Sequence, residues 1–182
     1  LGAAWKPTER WTSRFTATLD LTRQNGYPYA PYNPQTGILQ PIAYNRESSY
    51  RRLVGTLGMS WRYDADGWSL NSQTAFQHNN GRIEVDQDYS PQDIFAVKMP
   101  HRQNQVSQEF TLRSTNDSRY QWIVGAFGFH QQDHFTVYTT RIASKLYEVN
   151  QNKLPTMGFA LYHVSTFNIV KGLWASAGIR FD

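Results

Sequence analysis

The sequence contains no cysteine. A disulfide framework, a thiolate metal site and thiol redox chemistry are therefore excluded. Long hydrophobic runs are missing as well: the longest, residues 122–129, is short and broken by glycine, far from the roughly 18 apolar residues a membrane helix needs. Charge is sparse at 18% of residues, and acids are scarcer than bases, 14 Asp and Glu against 18 Lys and Arg. That is too little charge for a solvated disordered chain and too thin a basic face for a nucleic-acid binder. No Ser/His/Asp grouping, paired catalytic carboxylates or phosphate-binding glycine loop is present, so no enzymatic reading is supported and no cofactor is implied. What the chain does have is aromatic: 6 Trp, 11 Tyr and 10 Phe in 182 residues, with a mean hydropathy of −0.62. Large rings in a hydrophilic chain are unusual for an ordinary soluble enzyme.

Alternation dominates the pattern. In residues 11–22 the odd positions are mostly apolar and the even ones polar, the period of a strand with one greasy and one wet face. Leu53, Leu57, Met59, Trp61 and Tyr63 repeat it, as do Trp68, Leu70 and Phe76, then Val106, Phe110 and Leu112, then Met157, Phe159 and Leu161, then Leu173, Ala175, Ala177, Ile179 and Phe181. Residues 120–129 are apolar on both faces, and their orientation stays open. Short turn-like links at 6–9, 65–67, 115–118 and 168–172 alternate with long links at 24–50, 79–102 and about 132–155. The expected architecture is an antiparallel up-and-down meander with one trimmed end and one end of large loops.

Strands such as 11–23 reach roughly 43 Å at about 3.3 Å per residue, whereas a tilted strand crosses a bilayer with about ten residues. All six Trp lie near the short links, where amphipathic rings of a membrane barrel settle at the headgroup level. A soluble sandwich shares the alternation but not this combination of strand length, end asymmetry and Trp placement. The expected fold class is all-β, a segment of about 7–8 strands of a larger transmembrane barrel, with short periplasmic turns and long extracellular loops. The start Leu1-Gly2-Ala3-Ala4-Trp5 has no signal-peptide character, and both ends fall in mid-pattern, so the chain reads as an internal piece.

The motifs Ser107-Gln108-Glu109-Phe110-Thr111-Leu112-Arg113-Ser114 and Trp122-Ile123-Val124-Gly125-Ala126-Phe127-Gly128-Phe129, separated by a polar turn, resemble consecutive mid-barrel strands of TonB-dependent outer-membrane receptors. The hairpin from Phe159-Ala160-Leu161-Tyr162-His163 to Gly178-Ile179-Arg180-Phe181 resembles the one that follows. The resemblance covers residues 103–182 well and the earlier hairpins only in style. It implies a 22-stranded barrel in the outer membrane of a Gram-negative bacterium, active uptake of a scarce ligand such as an iron-siderophore complex, and contact with outer-membrane lipid and lipopolysaccharide. It also implies a plug domain and a TonB box, which this stretch does not contain. The expected domain is one partial barrel over 1–182. Two other readings remain open: a soluble or secreted carbohydrate-binding module, and a passive porin. The first is separated by whether a second sheet covers Phe15, Leu19, Leu21, Leu57, Met59, Leu173 and Ile179.

Three groups of residues are candidates for function. The link 24–50 carries Tyr27, Tyr29, Tyr32, Tyr44 and Tyr50 among four prolines, a stiff aromatic surface that suits flat or sugar-like ligands or packs against its own loop. Arg46, Arg51 and Arg52 sit where that link rejoins the sheet and could hold an anionic ligand, touch lipopolysaccharide, or make loop ion pairs. Arg14, Asp20, Arg62, Gln73, Gln77, Glu109, Arg113 and Arg180 lie on wet faces and are expected in a barrel lumen, bonded to each other or to the plug. His130 and His134 are about 13 Å apart on a strand, too far to share a metal. Asp86 and Asp88 fall short of a calcium ligand set. No metal site is expected.

Overall fold

The computed structural model describes residues 1–182. Eight strands form one antiparallel sheet in chain order: β1 (Gly2–Thr8), β2 (Trp11–Asn25), β5 (Ser49–Ala65), β6 (Trp68–Asp86), β7 (Phe95–Ser114), β8 (Tyr120–Arg141), β9 (Leu146–Val170) and β10 (Leu173–Phe181). A two-residue pair, β3 (Tyr32–Asn33) with β4 (Ile38–Leu39), stands within the link between β2 and β5. The sheet is an up-and-down meander with unpaired outer edges on β1 and β10. Two of the short turns are Asp66-Gly67 and Lys171-Gly172, with the glycines at φ of 88° and 86°, left-handed values that a side chain would strain.

Directly opposed residues of antiparallel strands point to the same face, so the register sorts the whole sheet. One row reads Phe15, Met59, Thr74, Gln108, Gly128, Phe159 from β2 to β9. The next reads Ala17, Leu57, Phe76, Val106, His130, Met157. The other face carries Arg14, Ser60, Gln73, Glu109 and Phe127 in one row. Hence the sheet has an apolar face and a polar face, as the alternation requires.

No second layer covers the apolar face. Phe15, Leu19, Leu21, Leu57, Met59, Leu173 and Ile179 are all exposed, and only Val85, Val97 and Ala160 are buried hydrophobics. A compact globular protein of this 21.1 kDa mass exposes about 9,000 Å²; this chain exposes 12915 Å². The sandwich arrangement, which hides one face of each strand against a second sheet, is not what these residues form.

The apolar band runs obliquely across the strands. On β2 and β5 it reaches Leu21 and its partner Leu53, whereas the same row holds Arg102, His134 and Lys153 on β7, β8 and β9. At the opposite end β9 continues to Phe167, two apolar-face positions past His163, the residue in the row of Trp11. A band of constant height crosses tilted strands in this stepped manner. Near the short turns Trp61, Trp11, Tyr63 and Trp68 form a chain of rings with centroids 5.6, 4.9 and 5.8 Å apart, and Tyr120 lies 4.6 Å from Phe167. Trp174 departs from this belt: it pairs with Asn168 on the polar face.

The links are shorter than the sequence suggests. That between β2 and β5 stays long, but residues 79–86 and 95–102 belong to β6 and β7, and residues 132–141 and 146–155 to β8 and β9. β9 has 25 residues, about 80 Å of strand, of which the apolar band occupies only part. The hairpins therefore continue well past the apolar band. Their polar extensions keep the backbone ladder but lose the greasy-wet alternation. Asn79-Asn80-Gly81 and Pro100 add turn composition, so these stretches read as loop. Pro100 also has no N–H, and the β7–β8 ladder skips from Lys98 to His101 around it.

Candidate functional site

The eight wet-face candidates all fall on the polar face by register. They bond to neighbours rather than to one another. Arg62 Nε donates to Asp64 Oδ1 at 2.7 Å, and Arg113 Nε to Ser69 Oγ at 3.1 Å. Gln77 Nε2 donates to Thr56 Oγ1 at 3.4 Å, and Arg180 Nη2 to Asp182 Oδ1 at 2.7 Å. Glu109 accepts from the Tyr162 hydroxyl at 2.8 Å, and Tyr162 also meets Thr111 Oγ1 at 3.0 Å. Tyr162 spans β8 to do this, and Gly125 makes the crossing possible, because a Cβ there would collide with the tyrosine ring. Arg14, Arg62, Asn71 and Gln73 line a polar recess of about 350 Å³.

The clearest recess on the polar face lies towards the long-loop end. Arg52, Gly81, His101 and Phe135 stand opposite one another on four successive strands. With Tyr50, Asn79 and Asp133 they line a cavity of about 420 Å³, a size that suits a small ligand. Gly81 leaves room between the Arg52 stem and His101. His101 Nε2 lies 2.6 Å from Asp133 Oδ1, and the ring of Phe135 meets His101 edge-on at 6.2 Å. Arg52 Nη2 donates to Asp20 Oδ1 at 3.3 Å. Its Nε, and Asn79 Oδ1, are buried without a hydrogen-bond partner in the chain.

In the tyrosine-rich link the rings pair with one another and with the loop that follows β6. Tyr27 and Tyr29 stack at 6.5 Å, and Tyr29 meets Tyr89 edge-on at 5.3 Å. Burial pushes the Tyr27 hydroxyl pKa up, helped by nearby Tyr50 and Tyr29. Tyr32 and Tyr44 are exposed and join none of these ring pairs. The link is anchored by carboxylates. Asp86 Oδ2 accepts from the backbone N–H of Asn45 and Arg46 at 3.0 and 3.3 Å, and Arg46 forks onto Asp93 at 2.5 and 3.0 Å. That fork holds the Asp93 pKa below the usual carboxylate range. Asp88 accepts from Ser90 Oγ and the backbone of Ser90, Ile94 and Phe95. Burial alone would raise its pKa, but these four bonds outweigh that and lower it. The acidic residues 86 and 88 are thus loop anchors.

The structure separates the candidates. Tyr27, Tyr29, Tyr50 and Arg52 gather at the loop end of the polar face; Arg46 is held by Asp93; Arg51 stands on the opposite face from Arg52. Tyr89, Asn79, His101, Asp133 and Phe135 were not foreseen. Tyr89 adopts φ of 52° in its loop and left no sequence signal. The other four follow once the parity of β6, β7 and β8 is carried past Phe76, Val106 and His130.

No protein-family model matches the sequence, and no curated protein sequence matches it. Among solved structures the chain superposes on part of the ferric yersiniabactin uptake receptor FyuA from Yersinia pestis, with a TM-score of 0.75 over 94% of this chain at 19% identity. The match spans 26% of that receptor's chain. The superposition and the two-faced meander of eight strands identify this chain's fold as that of a β-barrel segment, open at its two edges.

Proposed function

We propose that this chain is a partial barrel domain of a TonB-dependent receptor in the outer membrane, acting in active uptake of a ferric siderophore rather than in catalysis. In this reading the apolar face meets lipid and the polar face lines the lumen. The short turns lie in the periplasm and the long hairpins project outward. The observation that carries the reading is the register: the apolar alternation falls on one uncovered face, and the eight wet-face candidates fall on the other. The resemblance of residues 103–182 and the fold shared with a siderophore uptake receptor support it. The plug and TonB would act through the rest of the parent protein.

The ligand end would be the recess walled by Tyr50, Arg52, Asn79 and His101, with Tyr27 near Tyr50 and paired in turn with Tyr29 and Tyr89. Iron chelates of siderophores are commonly anionic and ring-bearing, and guanidinium with aromatic faces complements both features. The test is uptake of radioactive iron by iron-starved cells carrying the full-length protein. Deletion removes energy-dependent uptake of one ferric siderophore, and Arg52→Ala raises the half-saturating concentration about tenfold with outer-membrane assembly unchanged. Undiminished uptake after deletion, across a panel of ferric siderophores, overturns the siderophore assignment. Uptake that persists without an energised inner membrane points to a passive pore.

A further inference from the structure

The polar recess of about 350 Å³ near the short turns is built by two adjacent rows of the register. Thr12, Arg62 and Asn71 are directly opposed on β2, β5 and β6, and the next row holds Arg14, Ser60 and Gln73. Thr12 and Ser60 are short, so they leave a hollow between the longer side chains. Arg14 and Arg62 stand diagonally across it, roughly 7–8 Å apart at their bases, a gap that long side chains bridge.

The hydrogen bonding around this hollow is incomplete. Arg62 Nε and Nη2 both close on Asp64 Oδ1, at 2.7 and 2.6 Å. The other members of the two rows, Thr12, Arg14, Ser60, Asn71 and Gln73, make no side-chain hydrogen bond within the chain, and Arg14 has no ion pair. Glu109, opposite Gln73 on β7, is already engaged by the Tyr162 hydroxyl. One lining carboxylate against two guanidinium groups leaves the recess with a positive charge. Elsewhere on the same face such groups are used internally, Gln77 on Thr56 and Arg113 on Ser69.

An unpaired guanidinium fork suits a carboxylate, and amides and hydroxyls beside it both donate to and accept from hydroxyl oxygens. The set therefore matches a small anion carrying several oxygens. A single protein carboxylate, such as a plug side chain would bring, fills one fork and leaves the amides and hydroxyls of both rows unused.

The recess also lies in line with the one at the loop end. Arg52 and Arg62 are ten residues apart on β5, about 33 Å of strand. Between them the polar face of β2, β5 and β6 presents hydroxyl, amide and small side chains, among them Thr16, Thr18, Thr56, Ala75 and Gln77. The one carboxylate on the way, Asp20, is held by Arg52. No free negative charge on these strands repels an anion moving along that wall.

We propose that the turn-end recess is a second station for the uptake ligand, which receives an anionic chelate by its carboxylate and hydroxyl oxygens after the loop-end recess releases it. The inference rests on the uptake reading above and narrows the ligand to chelates with such oxygens free. A station that acts after capture governs the rate of passage and not the affinity at the cell surface.

The test uses the full-length protein in iron-starved cells and the ferric siderophore whose uptake deletion removes. Radioactive iron is counted as surface-bound on ice and as accumulated with time in growing cells. Arg14→Gln, which keeps the size and removes the charge, lowers the maximal uptake rate about fivefold and leaves surface binding and the half-saturating concentration unchanged. Arg14→Lys keeps at least about half of the wild-type rate, because the charge remains. Ser60→Asp, opposite Arg14, fills the hollow with a tethered carboxylate and lowers the rate as far. An opposite-charge pair across the ladder stabilises it, so this variant serves if Arg14→Gln does not assemble. Wild-type rates in both variants overturn the proposal. Weakened surface binding overturns it too, since that places Arg14 in capture, and so does new sensitivity to vancomycin, since that shows Arg14 securing the plug. Deletion that leaves uptake of every ferric siderophore intact sinks the uptake reading and this one with it. Deletion that abolishes uptake while both variants run at the wild-type rate sinks only this one.

Discussion

Tyr162 reaches across β8 to bond Glu109 and Thr111 on β7, and Gly125 is the gap that lets it pass. Neither residue looks special in the sequence: one is a tyrosine among eleven, the other a glycine in an apolar strand. Their pairing becomes visible only when the register sets them opposite each other. Gly125→Ala forces the ring aside and breaks both hydrogen bonds, so it is expected to cost about 1–3 kcal/mol. Tyr162→Ala removes the same bonds. The two losses are therefore not additive, and the double variant recovers about 1–2 kcal/mol of coupling, measurable by urea unfolding of the full-length protein in vesicles. Strict additivity would mean that the ring does not occupy the glycine gap. The recess residues teach a related lesson. Tyr50 and Arg52 stood out because they follow an aromatic, proline-rich link, whereas His101 and Asp133 lay in stretches whose amide-rich composition hides the strand.

At the scale of elements, Asp88 holds the loop between β6 and β7 from within, while Arg46 grips the same loop at Asp93. Asp88 has its pKa lowered in the fold, so its contribution is complete above the ordinary Asp pKa of about 3.9 and is lost as pH falls through the lower folded value. Pepsin should leave residues 87–94 intact near pH 4.5 and cut them near about pH 2. Asp88→Ala should be cut at both, because three backbone N–H groups and one hydroxyl lose their acceptor. Equal resistance of the variant at the higher pH would show that the loop is held by other contacts. The hairpin of β8 and β9 makes a second prediction. Its tip lies beyond the apolar band, where the ladder is polar and no lipid demands it. Replacing residues 136–151 by Asn-Gly joins the cross-strand partners Phe135 and Asn152 through a turn matched to strand twist. Assembly, read by heat-modifiable mobility, should persist, and failure to assemble would assign the tip a folding role. Hairpin order, the short turns and the Trp belt were legible because each depends on a local pattern. Strand ends were not, because backbone pairing beyond the apolar band needs no hydrophobic period.

On the scale of the whole molecule, the chain has 117 backbone hydrogen bonds and three buried hydrophobic residues, a sheet without a core. In water such a sheet has no sufficient driving force, since apolar burial is the dominant favourable term in folding, and its two free edges invite pairing with other chains. The expectation is that the 182-residue chain aggregates in aqueous buffer and is held in a β-rich state only by detergent or lipid. The medium on the apolar face can be tested within the parent protein by the depth dependence of a charge. Leu57 lies midway along the apolar run of β5, between Tyr63 and Leu53. Leu57→Arg is therefore expected to cost about 2–4 kcal/mol, while the same change at Leu53, next to Arg51 on the same face of β5, should cost about 0–1 kcal/mol. On the polar face Gln73→Arg, in the row between Leu57 and Tyr63, should stay within about 0.5 kcal/mol, the range of substitutions away from specific contacts. All three are read by reversible denaturant unfolding in vesicles. A gradient along β5 that disappears across the sheet is the signature of lipid on one side and a wet lumen on the other. A uniform small cost at both leucines would place water, not hydrocarbon, against the apolar face, and the barrel reading would fall with it.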